Sequence, residues 1–502
     1  MPREPICAAP RIDFDALQRP SLRHRCEVLH DACLFNGSVY PLAGPNAIHA
    51  RAVAQAMVVR SQFGSHQTFP LAHLHPMEPA PADSAGAALL ARAVRDRGLS
   101  PCVPLVWVPT WAFSFADSFV SSLVPIDELQ SAGLIDENVL LRPDLWAWPR
   151  SKNPLYRMLG HLSAAPIRSV REEAPRCDAA AAAAAAAGGP PRQCAAHCYS
   201  RVLVCNFRST FDAFAPPMAP WRAAQRVAAS VAAGRPVDAA AAISAAEAPD
   251  GDGPLRVVFV NRTRTKFSRS LTNLDVLLQR CASARRSGGI GGRRVVCRAH
   301  EFGAGSLRAD VRAARAADVL VGTHGAGLTN AFFMRRGAAL VEVRPYNFEG
   351  AWPDGYFRSL TALEQAIFYF QVSSGSPKLS SPVPKPDVSV WDARDHGVEL
   401  PWRTLRDVLA AVAAVNRSRE RCLHRVWTRG AVFVAQPDCK PRPACLKRRR
   451  LQEADAVPSY TRRYDYRAAD YLRVPADTPA DTPVDTLTFF RPVLPFKVGS
   501  TE

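Results

Sequence analysis

The run Ala317-Asp318-Val319-Leu320-Val321-Gly322-Thr323-His324-Gly325-Ala326-Gly327-Leu328-Thr329-Asn330 decides how the fold is read. Val319, Leu320 and Val321 are continuously apolar, the pattern of a parallel strand covered on both faces. Gly322, Gly325 and Gly327 permit a sharp turn and let a ligand approach bare backbone. Thr329 and Asn330 are residue types that cap a helix. Residues 338–343 read as the next buried strand. A strand, glycine turn, helix and strand in this order put backbone amides at the carboxyl end of a sheet. That is where α/β proteins bind phosphorylated ligands.

Outward from this unit, strands and helices alternate. Residues 255–260 and 295–297 read as buried strands, and 271–281 and 307–316 as helices. Leu271, Leu274, Leu277 and Leu278 give the first of these helices one apolar side. The alternation predicts an α/β protein with a doubly wound parallel sheet. Residues 368–372 add a further strand and 405–415 a further helix. Upstream, Asn36-Gly37 between apolar runs predicts a hairpin over 32–40. Residues 103–108, 139–141 and 199–205 read as strands. Phe115, Phe119 and Leu123 mark a buried helix face, with Asp117 off that stripe. The implied organisation is an N-terminal extension with a hairpin (1–102), a first lobe (103–222) with a poly-alanine insertion (178–193), and a linker (223–254). A second lobe (255–375) and a C-terminal helix with a flexible tail (376–502) follow.

At 502 residues the chain exceeds one ordinary core. Its net charge is +18, from 63 Lys plus Arg against 45 Asp plus Glu. Such a balance invites polyanions, but scattered arginine also fits solvated helix faces. No zinc-finger spacing, RNA-binding signature or aromatic-interleaved basic stripe occurs, so nucleic acid is not an expected partner. The 13 cysteines include no CxxC pair, and Cys194-Ala195-Ala196-His197-Cys198 lacks further ligands for a metal. Disulfides in a secretory lumen, with at least one thiol left over, fit better. Sequons at Asn36, Asn261 and Asn416 point the same way. There is no run of about 18 apolar residues, and Met1-Pro2-Arg3-Glu4-Pro5 does not open a signal peptide. The chain as it stands reads as soluble, with any membrane anchor outside it.

Several side chains are candidates for chemistry, each with a plainer alternative. His324 either meets phosphates or transfers a proton, or it pins the turn through a hydrogen bond. Arg262 and Arg269 follow the strand 255–260, where guanidiniums clamp a diphosphate; Arg264 and Lys266 read as surface charge. Glu342 either accepts from ribose hydroxyls or forms a strand-end ion pair with Arg344. Asp117 is either a general base facing a cleft or a helix-start charge.

The motif Asp318–Asn330, with Phe333, Gly337 and Glu342, resembles the signature block of glycosyltransferase family 61. Arg262, Arg269 and Asn273 match its upstream pattern. Phe119, Leu123, Val124 and Pro125 match the apolar frame of a first-half block, and Leu162-Ser163, Pro166-Ile167 and Cys198-Tyr199 also fit. Where the family has Asn, His and Asp in that block, this chain has Ser114, Asp117 and Ser121, and Asp310 stands where Gln is usual. The resemblance implies a GT-B-like architecture of two Rossmann-like lobes flanking a cleft. It implies an inverting transferase in the Golgi or endoplasmic reticulum lumen that needs no metal or other cofactor. A UDP-sugar would be the donor, and a glycan or glycoprotein the acceptor. The residues that match as donor-binding are Arg262, Arg269, Asn273, His324, Gly325, Ala326, Gly327, Thr329, Asn330 and Glu342, with Asp117 and His324 as catalytic candidates. A non-catalytic relative that binds nucleotide or glycan is the alternative.

Overall fold

Two sheets organise the chain. The computed structural model describes residues 9–17, 25–35, 38–42, 85–107, 109, 114–143, 154–173, 196–207, 218–237, 242–243, 253–262, 269–348, 357, 366–385, 388–429 and 431–437. The first sheet contains β1 (Arg25–Phe35), β2 (Ser38–Pro41), β3 (Pro104–Trp107), β4 (Leu140–Pro143) and β5 (His197–Asn206). Their spatial order is β2-β1-β5-β3-β4. β1 runs antiparallel to β2 and β5, while β3 is parallel to β5 and β4. The expected hairpin is present, but it is no extension. β1 is an interior strand of the first sheet, because its apolar residues Val28, Leu29, Ala32 and Leu34 find cover only there.

The β1–β5 register sets Cys26 opposite Cys205 and Cys33 opposite Cys198, and both pairs are disulfide-bonded. Cys26 and Cys33 are seven residues apart, as are Cys198 and Cys205. Equal spacing of this kind is what two rungs across one antiparallel pair require.

The second sheet contains β6 (Leu255–Val260), β7 (Val295–His300), β8 (Val319–Thr323), β9 (Ala338–Arg344) and β10 (Ile367–Ser374). After a short ribbon of β11 (Ser380–Ser381) and β12 (Gly397–Val398), β13 (Val432–Ala435) completes it. The order is β13-β10-β9-β8-β6-β7, and every neighbouring pair is parallel. The expected α/β class and parallel sheet are observed. One face packs under the helices Leu274–Arg286 and Trp402–Val415, through Val257, Phe259, Val319, Val321, Leu277 and Leu409. A third disulfide, Cys281–Cys297, ties the first of these helices to β7.

The opposite face of the second sheet joins the first. Val258, Val260, Leu320 and Leu340 share one apolar core with Leu105, Phe119, Leu203 and Trp221. The helix Ala219–Ala233 lies in the middle of this core, which corrects the expected linker 223–254 at its start. The stretch looks like low-complexity alanine, yet Ala223, Ala224, Val227 and Ala228 are buried, and small side chains allow close approach. Gln225, fully buried, donates to the Phe332 and Met334 carbonyls at 2.8 and 3.0 Å and accepts from Arg315 at 2.9 Å. On its other side, Arg226 pairs with Asp127 at 3.2 Å. The poly-alanine insertion 178–193 and the tail beyond 437 lie outside the described residues.

Candidate functional site

The glycines of the motif are dictated by what packs on them. A Cβ on Gly322 would lie 2.8 Å from Val260 Cβ, and one on Gly327 2.9 Å from Val260 Cγ1. At Gly325, φ is +150°, a backbone region that side chains disfavour. A Cβ there would meet an Arg262 Nη1 at 2.2 Å. The turn is therefore shaped to hold the end of β6 and to seat one guanidinium. Ala326 and Gly327 remain half-buried, whereas Gly325 lies beneath Arg262.

After the turn the chain forms a 3-10 segment, Ala326–Phe333, where an α-helix was expected. Thr329 and Asn330 sit inside it, 1% and 3% exposed, so neither is a cap and both back the wall of the site. Asn330 Nδ2 donates to the Gly327 carbonyl at 3.0 Å.

His324 points into a closed polar cluster. Its Nδ1 is hydrogen-bonded to Glu342 Oε1, and its ring lies edge-on to Phe348 and Phe357 at 4.8 and 5.6 Å. The other Glu342 oxygen accepts from Arg344 Nε and Nη2 at 3.1 and 2.9 Å and from the Tyr369 hydroxyl. Gln371, buried and paired in register with Glu342, lies 3.2 Å from that hydroxyl and donates to Ser373 at 2.7 Å. Glu342 and Arg344 are both fully buried. Of the two expected roles of Glu342, the ion pair with Arg344 is the one formed, and both of its oxygens are engaged within the protein. Burial favours the neutral acid, but Arg344, His324 and Tyr369 outweigh it and hold the Glu342 pKa down to about 2. Burial also lowers the His324 pKa, partly offset by Glu342. A neutral imidazole donating Nδ1–H to a carboxylate satisfies both shifts.

Asn273 is likewise committed to the fold. Its amide donates to the Leu400 carbonyl at 2.9 Å and accepts from the Leu400 N–H at 3.1 Å. It anchors the segment before Trp402 and is not directed at a ligand.

The remaining expected residues do converge. Arg262 Nη1 donates to the His324 carbonyl at 3.4 Å, and Thr323 Oγ1 donates to the Arg269 carbonyl at 2.8 Å. Both arginines are thus placed against the glycine turn at the carboxyl end of β8. Asp395 joins them: its carboxylate lies 2.7 Å from Arg269 Nε and 2.8 Å from Arg394 Nε. Among the described residues, Arg262, Arg269 and Arg394 set three guanidiniums around the Asp395 carboxylate. Burial, with repulsion from Arg394 and Arg262, lowers the Arg269 pKa to about 10 against the pull of Asp395. Burial and Arg394 lower that of Arg262 in the same way. Such depression marks positive charge held close together, the electrostatic condition for binding an anion. Arg394 and Asp395 carry no motif that marks them in the sequence. Arg264 and Lys266 lie outside the described residues.

Asp117 comes from the first sheet's side. The helix Phe115–Ser118 runs through a π-turn, Phe119–Leu123, into the helix Val124–Ser131. Phe119 stacks on Phe332 at 5.5 Å, and Phe115 and Phe119 approach Phe333 at 6.5 and 6.3 Å. This brings the Asp117 helix onto the segment that follows the glycine turn. Burial raises the Asp117 pKa against hydrogen bonds from Ser114 and its own backbone. Ser114 caps the helix by accepting from the Asp117 N–H at 3.4 Å, and Ser121 donates to the Asp117 carbonyl at 2.6 Å.

Residues 152–341 match the family model described as Glycosyltransferase 61. No curated relative matches the chain. The matched span carries β5 to β8, Arg262, Arg269 and the whole glycine turn, and stops just short of Glu342. Similarity to this family implies glycosyltransferase activity in general, with a sugar donor and an acceptor. Over this span the chain is similar to glycosyltransferase family 61.

Proposed function

We propose that the protein transfers a sugar from a UDP-sugar to a hydroxyl of a glycan or glycoprotein, with inversion and without a metal. The observation that carries this reading is the arginine cluster at the carboxyl end of the parallel sheet. When the bond from the anomeric carbon to the diphosphate breaks, its electron pair stays on the β-phosphate oxygen. Arg262, Arg269 and Arg394 supply fixed positive charge for that oxygen and its neighbours. The half-buried Ala326 and Gly327 offer backbone where the donor can lie close.

Asp117 takes the acceptor hydroxyl's proton as the new glycosidic bond forms. Its raised pKa makes it a stronger base than an exposed carboxylate. The attack comes from the first sheet's side, opposite the departing diphosphate, in a GT-B-like arrangement with the donor on the second sheet. His324 serves as a positioning residue: the Glu342 cluster holds its ring, and its carbonyl holds Arg262. Three disulfides among the described residues favour an oxidising compartment such as the secretory lumen. No helix among the described residues is long and apolar enough to cross a membrane.

The test is transfer or hydrolysis of a panel of UDP-sugars, with and without chelator. Asp117→Asn should lower turnover by roughly 10²–10⁴-fold, the scale of a lost general base, with UDP affinity kept. Turnover abolished by chelator sinks the metal-free reading. Full turnover in Asp117→Asn removes Asp117 as the base. UDP binding with no turnover of any donor favours the non-catalytic alternative.

A further inference from the structure

The carboxylate in the arginine cluster is in an unusual position. Arg344 and Glu342 pair with neither side chain exposed. Asp395 is 25% exposed, with its partners Arg394 and Arg269 at 23% and 15%. It therefore sits where solvent, and a solute, can reach the same guanidiniums. Its backbone belongs to a turn after the short helix Val390–Ala393, held by the Asp395 N–H to the Asp392 carbonyl at 3.0 Å. Asp395 Oδ1 takes Arg269 Nε and Arg394 Nε, while Oδ2 accepts from Arg394 Nη2 at 3.2 Å. This is the fork geometry that phosphate oxygens also use with arginine.

We propose that Asp395 is an internal anion occupying the phosphate subsite of the donor, and that a ligand must displace it to bind. The idea rests on the proposed donor site. It concerns a different property, the competition a diphosphate meets on entry. With the carboxylate in place, part of the positive charge of the arginines is taken up by Asp395. With it withdrawn, that charge is available to the two adjacent phosphates. A single phosphate competes poorly against a carboxylate tethered to the same turn, because the tether gives Asp395 a high effective concentration. The carboxylate thereby favours ligands that bring two phosphates at once. The opposite role is a scaffold: a carboxylate that keeps the arginines in place and is needed for binding.

Titration calorimetry on the full chain distinguishes the two roles, with UDP and inorganic pyrophosphate as probes and Asp395→Asn and Arg394→Gln as variants. Asparagine keeps the size of the side chain and removes its charge. Asp395→Asn should bind pyrophosphate and UDP about tenfold more tightly, the scale of one charge-assisted hydrogen bond lost to competition. Arg394→Gln should bind both more weakly. Weaker or unchanged binding of both probes in Asp395→Asn overturns the displacement idea in favour of the scaffold. If pyrophosphate binding tightens while UDP binds neither protein, the internal anion stands and the UDP-sugar reading falls. If UDP binds both proteins equally, the internal anion falls and the UDP-sugar reading stands.

Discussion

Two charged clusters lie on either side of the glycine turn, and they are built in opposite ways. Below it, His324, Glu342, Arg344 and Tyr369 form a group whose anion is fully buried and whose donors are matched to it. Beside it, among the described residues, Arg262, Arg269 and Arg394 gather around the carboxylate of Asp395, within reach of solvent. The first cluster closes its electrostatics internally. Among the described residues, the second holds more positive charge than negative. Conserving charge balance in a buried site secures geometry, whereas an imbalance at a sheet's carboxyl end provides affinity for an anion.

The largest expected effect tests the closed cluster. Glu342→Ala leaves Arg344 buried without its counter-charge, a loss of about 3–5 kcal/mol, read as a lower denaturant midpoint. Stability within 1 kcal/mol of wild type, a bound set by the same reasoning, means that water enters the site and it is not closed. Next comes the open cluster. Arg269→Ala should weaken UDP binding by on the order of 10–100-fold, while its unfolding midpoint stays close to wild type. Equal UDP affinity with a marked loss of stability makes Arg269 a structural residue and erases the contrast between the clusters.

Gly325→Ala joins the two. A methyl group at φ +150°, 2.2 Å from Arg262 Nη1, must evict the guanidinium. The strain costs roughly 1–3 kcal/mol, and UDP affinity should fall as in Arg262→Ala. Retained affinity shows that Arg262 binds nothing from that seat. The smallest effect is on pH dependence. His324 and Glu342 both ionise below their ordinary values in the native protein. On acidification the unfolded chain takes up protons first, near pH ~6.5 for histidine and ~4.3 for glutamate. Their contribution to stability is complete above about pH 7 and declines as the pH falls through that window. Melting temperature should fall between pH 7.5 and 4, and less so in Glu342→Gln. A melting temperature that rises on acidification contradicts the neutral imidazole.

The second sheet was legible because its strands are continuous apolar runs set between amphipathic helices, a pattern that needs no distant information. Arg262 and Arg269, which follow β6, were legible for the same local reason. For Glu342 the pair with Arg344 was legible, but its contacts with His324 and Tyr369 were not, because they depend on β8, β9 and β10 lying side by side in one register. Asp395 was invisible on a polar turn, more than 120 residues beyond Arg269. The alanine-rich helix Ala219–Ala233 was misread because its composition resembles a linker, and only Trp221 and Gln225 hinted at a buried face. The first sheet offered one overlooked signal. The matched spacing of Cys26 and Cys33 with Cys198 and Cys205 foretells an antiparallel pair between segments more than 160 residues apart.

Those two bridges give the chain a topological property as well. Together they turn residues 26–205 into a ring with two nested closures. A protease cut anywhere from 34 to 197 opens the backbone without separating the fragments, which stay joined until a reductant is added. The alanine-rich insertion falls inside this ring, so lengthening, trimming or nicking it cannot release β1 from β5. The β1–β5 pairing is thereby insulated from cleavage in that insertion, and gel mobility with and without reductant makes that insulation visible.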